Sequence, residues 1–573
     1  MKNSFPQLLI SFLPYIRGLA AFGTATLVGL ATVRADSPTE TWTDPGSSIL
    51  KSGAGSNWAP PSGGGGPVPL TGTTAVIYGN EERPLGWNTN TNPNAQNFGD
   101  LDFTFLSGSS STLAVGNYTT KTTSANVNVT LGGSTLNSQA NTVIANSSGY
   151  TIVFENDIDP TGDYGGETGL TTYTLGNSTN VIQATASSNI VIDNVVAGSG
   201  AALTFLGGGN SSTTGATLEL GAGSANDVTG EAAPNAGTAV SGTFATGIGS
   251  VQSSDQNSFT GGLTIGDTAG TANAGVVKID GAHALPTSGA VTVNPNSQLL
   301  LNGNATYGGS TQKLVLNGTG TPGTNGALTT ASGNASTWNG NIVLGSAASI
   351  NVQGATGALI VSGTLSGSSQ LQTTGAGTLT LDGNSTGFSG GVEVSSGSVV
   401  AGNSNALGTG AVSVTGGTLS SSVGSLNIGG TLSLSTGVIA LDQSNFSLAT
   451  GQNFTMSGGT FDLTDVAGSV GSVASAGGGS QFSITSGVLD LGGNTWNYTS
   501  TYDILSGFGS GSVSGLTITD YDSTDYTAHV SSAGVLSFTA ASVPEPGSCA
   551  VVGLGAILLA AGSRRFRCSD RKA

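Results

Sequence analysis

Short runs in which apolar and polar residues alternate dominate the middle of the chain. Val, Leu, Ile and Thr alternate over four to six residues, and Gly, Asn and Ser separate the runs, as in residues 378–383, 412–414 and 431–434. A period of two places successive side chains on opposite sides of a β-strand. Between residues 36 and 543 no long stretch has the periodicity and caps of a helix. The pattern therefore predicts an all-β chain of many short strands.

Part of this strand pattern occurs twice in the same order. Each copy has a Phe-x-Gly-Gly turn with a three-residue strand, an Ala-Leu step and a Gly-Ala-Val-x-Val strand; the copies are 259–265, 284–285 and 289–293 against 388–394, 406–407 and 410–414. The order resembles the autotransporter-associated β-strand repeat, best over residues 259–303 and 375–420. That resemblance implies a right-handed parallel β-helix, a solenoid. Pro286 stands where the later copy has Gly408, and the first copy is longer, so we expect irregular coils.

The residue chemistry agrees with a β-solenoid over residues 101–500. Each coil of about 20 residues would turn alternate Val, Leu and Ile side chains inward, to stack on those of the next coil, and Thr, Ser and Asn side chains outward. This phase places Val412 and Val414 in the core and Ser413 outside. Because a single coil cannot bury its apolar face, stability must come from repetition.

The regions on either side of the predicted solenoid differ from it in composition. Residues 36–100 contain Trp42, Trp58 and Trp87, and such large aromatic side chains would close an open solenoid end as an N-terminal cap. A carbohydrate-binding platform is the alternative use of these aromatic residues. Residues 501–542 resemble the terminal strand region that often precedes a C-terminal sorting signal, and we interpret them as C-terminal cap strands.

The last 31 residues contain three parts in a fixed order. Val543, Pro544, Glu545 and Pro546 come first, an uncharged apolar run over residues 547–563 follows, and a basic tail with Arg564 and Arg565 ends the chain. A run of about seventeen residues is at the lower limit for a membrane-spanning helix. The arginines would hold the C-terminal end of that helix in the cytoplasm, because positive charge favours that side.

This arrangement over residues 543–573 resembles the PEP-CTERM sorting signal. The resemblance implies that an exosortase-type membrane enzyme recognises Pro544, Glu545 and Pro546. It also implies that a single helix anchors the chain transiently in the inner membrane before the enzyme removes it. An ordinary C-terminal anchor preceded by two prolines is the simpler alternative.

Residues 1–35 have the features of a signal peptide with its own apolar helix. Residues 18–33 are apolar and uncharged, basic residues precede them, and the small side chain of Ala35 suits signal peptidase, which would cut before Asp36. Arg34 within the cleavage box leaves open an uncleaved anchor over residues 5–33. Both alternatives send the chain through the general secretion machinery and out of the cytoplasm.

The charge of the exported part limits its partners. Residues 36–563 contain 30 acidic and 5 basic residues, a formal charge of −25. Nucleic acids and anionic membrane surfaces would be repelled. Solubility is the simple role of this charge, and weak binding of divalent cations or cationic glycans is the alternative. Cys549 and Cys568 both lie in the sorting segment, so the exported body has no thiol and cannot form a disulfide.

Residues suited to catalysis or metal binding are sparse. His283 and His529 are the only histidines, and neither lies in a recognisable triad or metal-ligand spacing. The acidic segment 157–167 resembles the start of a calcium loop, but Pro160 intrudes and the closing glutamate is one position early. A second acidic turn spans residues 520–525 with a weaker case. The sequence therefore predicts no catalytic residues, no metal site and no cofactor.

These features predict an exported, non-enzymatic β-helix protein with a structural or adhesive role at the cell surface or in the extracellular matrix. Extracellular polysaccharide is its candidate matrix partner. The alternative is a polysaccharide-active or polysaccharide-binding β-helix protein, of the lyase or hydrolase kind, although the few Lys and Arg residues argue against an acidic polymer as substrate. A self-secreting autotransporter would share the repeats but would need a C-terminal membrane barrel, where this sequence has the sorting signal.

Overall fold

The computed structural model describes strands and short turns between residues 39 and 220, with undescribed segments between them, and an almost continuous body over residues 257–541. Gaps in that body are residues 270–273, 280, 283, 324–325, 442–443, 464–470 and 493–495. Within the described residues the regular structure is entirely strand, with no helix. The prediction of an all-β chain is confirmed for this part of the protein.

The described strands of the N-terminal part precede residue 221. They are β1 (Thr39–Trp42), β2 (Leu50–Lys51), β3 (Trp58–Ala59), β4 (Thr74–Asn80), β5 (Leu85–Asn88), β6 (Gln96–Phe98), β7 (Asp100–Ser107), β8 (Thr112–Tyr118), β9 (Val127–Leu131), β10 (Thr142–Asn146), β11 (Thr151–Glu155), β12 (Thr171–Leu175), β13 (Thr179–Ala184), β14 (Asn189–Ile192), β15 (Val195–Gly198), β16 (Ala202–Gly207) and β17 (Thr217–Leu220).

The remaining described strands follow after residue 257. They are β18 (Ser258–Phe259), β19 (Leu263–Ile265), β20 (Val276–Ile279), β21 (Val291–Val293), β22 (Gln298–Leu301), β23 (Thr306–Tyr307), β24 (Lys313–Gly318), β25 (Leu328–Thr330), β26 (Ala335–Trp338), β27 (Asn341–Val352), β28 (Ala358–Val361), β29 (Leu365–Ser366), β30 (Leu371–Gly375), β31 (Thr378–Leu381), β32 (Val392–Val394), β33 (Ser398–Ala401), β34 (Val412–Val414), β35 (Thr418–Ser421), β36 (Ser425–Ile428), β37 (Leu432–Leu434), β38 (Val438–Ala440), β39 (Asn445–Leu448), β40 (Phe454–Met456), β41 (Thr460–Asp462), β42 (Ser472–Ser475), β43 (Gln481–Ile484), β44 (Gly487–Asp490), β45 (Tyr502–Asp503), β46 (Leu505–Ser506), β47 (Ser510–Val513), β48 (Leu516–Thr519), β49 (Tyr526–Val530) and β50 (Val535–Ala540).

The chain visits three long faces in turn, and each face is a run of parallel strands. The first face runs β1-β4-β7-β10-β13-β16-β19-β21-β24-β27-β29 and, after a bridge from Gly367 to Phe388, continues as β36-β39-β42-β46. The second runs β2-β5-β8-β11-β14-β17-β20-β22-β25-β27-β30-β32-β34-β37-β40-β43-β47. The third runs β6-β9-β12-β15-β18 and then β23-β26-β28-β31-β33-β35-β38-β41-β44-β48. Long parallel sheets visited in rotation are consistent with a parallel β-helix.

Coil length varies along the chain. We define it as the separation in sequence between partners on successive strands of one face. On the third face Thr378 pairs in register with Ser398, and Ser398 pairs with Thr418 after a coil of equal length. Later on the same face Thr460 pairs with Val488, and the coil between these two residues is longer. The prediction of irregular coils is confirmed.

Apolar side chains stack between the faces, in columns that run from coil to coil. On the second face Val394, Val414, Leu434, Met456 and Ile484 are successive partners in register, and each is at most 3% exposed. In β34 the residues Val412 and Val414 are buried and Ser413 is half-buried on the outer side, so the predicted strand phase is confirmed. Burying a Val or Leu side chain contributes about 1.5 to 3 kcal/mol, which is the repeated gain that stabilises the stack.

The Gly-Gly pair of the repeated sequence motif lies where neighbouring coils approach closely. A Cβ atom on Gly261 would be 2.6 Å from the backbone of Ala201 in the preceding coil, and one on Gly262 would be 2.6 Å from the carbonyl oxygen of Ala290 in the following coil. In the second copy Gly390 adjoins the backbone of Ser369, and Gly391 adjoins Ala411 in the same way. The motif is therefore a backbone contact on both sides, which a side chain would obstruct.

Both ends of the described chain depart from the parallel pattern. At the N-terminal end β3 pairs antiparallel with β1, and at the C-terminal end a separate sheet forms. Strands β45, β50 and β49 form an antiparallel sheet, which we call the terminal sheet. It occupies the region in which the sequence predicts C-terminal cap strands, although capping itself stays a prediction. At the N-terminal end, Trp42 belongs to β1, Trp58 to β3 and Trp87 to β5.

Candidate functional site

Most of the sequence-predicted site residues lie outside the described residues. His283 and the acidic segment 157–167 belong to this group, together with the signal-cleavage and sorting residues. In the described part of the chain, no helix has the length and apolar character needed to cross a membrane. The predicted cleavage and sorting residues that lie outside the described residues are Ala35, Asp36, Val543, Pro544, Glu545, Pro546, Arg564 and Arg565.

The acidic turn at residues 520–525 connects β48 with the terminal sheet. It is closed by hydrogen bonds between its own backbone and the Asp522 side chain. Asp522 Oδ1 accepts hydrogen bonds from the N–H groups of Thr524 and Asp525, at 3.2 and 3.3 Å, and Asp522 N–H donates to the hydroxyl of Tyr498 at 2.9 Å. The Asp522 carboxylate thus acts as a turn acceptor. Among the described residues no group of three or more His, Cys, Asp or Glu side chains is arranged to hold a metal ion.

Two carboxyl groups meet beside this turn on the outer side of the third face. A hydrogen bond with Asp490 and the repulsion between the two carboxylates both raise the pKa of Asp520 above its ordinary value. Asp462 precedes Asp490 in register on the neighbouring strand, so acidic side chains occupy consecutive coils here. Asp520 is fully exposed, and solvent therefore screens this repulsion.

His529 lies on the outer side of the terminal sheet and is exposed. Its cross-strand partner in register is Ser537. This position places the histidine on the solvent side of an antiparallel pair.

An aromatic cluster fills the space between the last coil and the terminal sheet. Tyr498 and Tyr526 stack at 4.2 Å between ring centroids with an angle of 8°, and Phe538 meets Tyr498 edge-on at 4.9 Å. Trp496, which is 8% exposed, packs edge-on against Tyr502 at 4.8 Å and donates its Nε1–H to the carbonyl of Leu491 at 3.0 Å. Such aromatic pairs add about 0.5 to 1.5 kcal/mol each beyond their buried area.

Sequence reasoning missed the part that Trp496 and Tyr498 take in this cluster. Both precede residue 501, where the predicted cap begins, and the short segment between them and Tyr502 gives no strand pattern. The available signal was the density of aromatic residues from 496 to 538, which is higher than in the neighbouring coils.

A shallow groove crosses the last three coils of the second face. Its volume is about 340 Å³. Amide and hydroxyl side chains form most of its wall, and two Phe residues and a glycine form the rest; the lining residues are Asn453, Phe454, Thr455, Gln481, Phe482, Ser483, Ser510, Gly511 and Ser512. The groove thus presents uncharged hydrogen-bonding groups, which suits a neutral polar ligand better than a charged one. The rings of Phe454 and Phe482 lie in the core beneath it, at 0% and 3% exposed.

Comparisons with known protein families, curated proteins and solved structures found no match to this chain.

Proposed function

We propose that this protein is an exported, non-enzymatic β-solenoid that serves as a structural or adhesive rod at the cell surface or in the extracellular matrix. Its right-handed coils would be made outside the cytoplasm after the signal peptide is cut at Ala35–Asp36. An exosortase-type enzyme would then recognise the motif Val543-Pro544-Glu545-Pro546, with Arg564 and Arg565 behind the membrane helix, and release the chain from the inner membrane.

The observation that best supports this proposal is the unbroken second face. Seventeen strands, from β2 to β47, follow one another in parallel, which at about 4.8 Å per strand gives a length of about 80 Å. Such a stack gains its stability from neighbouring coils alone and needs no disulfide or metal. A long shape built by repetition suits spacing and display, where the outer surface of many coils acts together.

Charge further supports an uncharged or cationic matrix partner over an acidic one. Residues 314–541 contain no Lys or Arg and ten acidic residues. An acidic polysaccharide would therefore meet repulsion along this half of the solenoid, with no cation to hold it.

Polysaccharide binding is the second candidate, and the groove on the second face favours it. Its walls offer amide and hydroxyl groups from Asn453, Gln481 and Ser510, which can exchange hydrogen bonds with sugar hydroxyls. Neutral sugars pair with such groups. This candidate is compatible with a matrix rod, because binding along a groove needs no catalysis.

Two experiments test the sorting proposal: determination of the N- and C-termini of the mature protein, and substitution of the Pro-Glu-Pro motif. We expect mass spectrometry of the surface and medium fractions to find an N-terminus at Asp36 and a C-terminus near residue 543. Replacing Pro544, Glu545 and Pro546 by Ala should leave full-length precursor in the inner membrane, because the helix could then continue outward and the extended recognition shape would be lost.

The matched control for this experiment is Ser542→Ala, which changes a neighbouring residue outside the motif and should be processed normally. Display of the triple variant at the normal rate, or a surface protein that still ends at Ala573, would contradict the sorting proposal.

A further inference from the structure

The second and third faces end at strands that have a partner on one side only. Of the described strands, β47 pairs with β43 and β48 pairs with β44, and the terminal sheet forms its ladder among its own three strands. Ser514 N–H donates back to Ile484. Since backbone groups alternate in direction along a strand, the N–H of Val513 points to the outer edge. A strand edge of this kind is a template for pairing with another strand.

The apolar columns of the core also reach this end without being closed. Val513 continues the column that contains Met456 and Ile484, which are 1% and 3% exposed. Ile518 continues the column of Leu489, which is 1% exposed. Val513 and Ile518 themselves are only partly buried. One more coil would complete their burial, as each coil does for the coil before it.

The opposite end of the second face offers the matching edge. The face begins at β2, which among the described strands pairs with β5 alone. All strands of the second face, from β2 to β47, run in the same direction. The free edge of β47 is therefore equivalent to the edge with which each inner strand pairs to the next strand of the face. A shift of one molecule along the stack therefore brings two complementary strand edges together.

We propose that copies of this chain join head to tail, with the β47–β48 end of one molecule covered by the N-terminal coil of the next. Such a contact is heterologous and does not close on itself, so it produces linear filaments. The inference goes beyond the single rod of the proposed function, and it concerns assembly after export. A different occupant, the chain's own residues 542–573 following Ala541, would cover the same edges within one molecule.

Substitutions in β47 and β48 test this assembly. The exported protein washed from the producing cells is compared with Val513→Asp, which would bury an unpaired charge in the contact. The control is Thr517→Asp, which adds the same charge to an exposed position of β48. Sedimentation velocity at rising concentration and negative-stain electron microscopy measure the length distribution.

We expect the native protein and Thr517→Asp to form filaments whose lengths are multiples of one molecule. Val513→Asp should weaken association by about tenfold or more while its circular dichroism stays native. If Val513→Asp fails to fold, Leu516→Asp on β48 makes the same test. Single particles for the native protein at every concentration, which includes the case of self-covering by residues 542–573, would overturn the proposal. Association of Val513→Asp equal to that of the native protein would overturn it as well.

Discussion

At the scale of single residues, the alternation of side chains within β34 carries the argument for a stacked core. Val412 and Val414 are 1% and 0% exposed, and Ser413 between them faces outward. The neighbours of Val414 in register are Val394 and Leu434, so a polar group at Val414 would have no hydrogen-bond partner among these apolar side chains. At Ser413 the same group would meet water.

The first prediction introduces one new side chain at three adjacent positions. Val412→Asn and Val414→Asn should each lower the free energy of unfolding by about 2 kcal/mol or more, because each buries an unpaired amide and loses apolar burial. Ser413→Asn should stay within about 0.5 kcal/mol of the native protein. Urea unfolding followed by circular dichroism measures all three, and equal losses at the three positions would show that the strand phase is wrong.

At the scale of elements, the turn before each strand of the repeat decides how closely coils can stack. Gly390 adjoins the backbone of Ser369, and Gly391 has a φ of +84° as well as a close approach to Ala411. The nearby Gly387 has open space around its Cβ position, and its φ is outside the left-handed region. These three glycines therefore separate the effect of close packing from the effect of backbone freedom alone.

The second prediction compares Ala substitutions at these glycines. Gly390→Ala and Gly391→Ala should each cost about 1 to 3 kcal/mol, because the first pushes coils apart and the second also strains the backbone. Gly387→Ala should be neutral or stabilising by up to about 1 kcal/mol, since it only reduces the freedom of the unfolded chain. Thermal unfolding of the three variants provides the comparison, and a loss at Gly387 as large as at Gly390 would contradict the packing argument.

Local pattern was sufficient to predict the strands and their inward residues, but it did not predict which face each strand joins. The two repeat copies share their sequence order, yet β19 lies on the first face and β32 on the second. Between them β27 runs straight through the corner of the first two faces. A short turn can either continue along one face or lead the chain onto the next face. The neighbouring coil decides between these, and the sequence of a single repeat does not contain that neighbour.

The C-terminal aromatic cluster could not be predicted for a related reason. Trp496 and Phe538 are far apart in sequence, and they meet only because the chain passes through a whole coil and returns as an antiparallel sheet. Aromatic density indicated a closing structure, but contacts between rings depend on that return path. The second-face groove likewise joins three separate coils, in which Phe454, Phe482 and Gly511 are successive partners in register.

At the scale of the whole molecule, each coil should add the same length to the solenoid. Successive strands of a parallel sheet are about 4.8 Å apart whatever the number of residues between them. Ser512 is four strands from Ser413 and six strands from Gln372 along the second face. Distance along the rod should therefore follow the number of coils and not the separation in sequence.

Spin-label distances within the second face measure the length added by each coil, and labels can be placed freely because the exported body has no cysteine of its own. With Cys549 and Cys568 replaced by Ser, labels are attached at Ser512→Cys paired with either Ser413→Cys or Gln372→Cys. The account predicts distances of about 19 and 29 Å, with an increase of about 5 Å for each coil. Distances that are equal for the two pairs, or that do not increase with the number of coils, would contradict a stack of parallel coils.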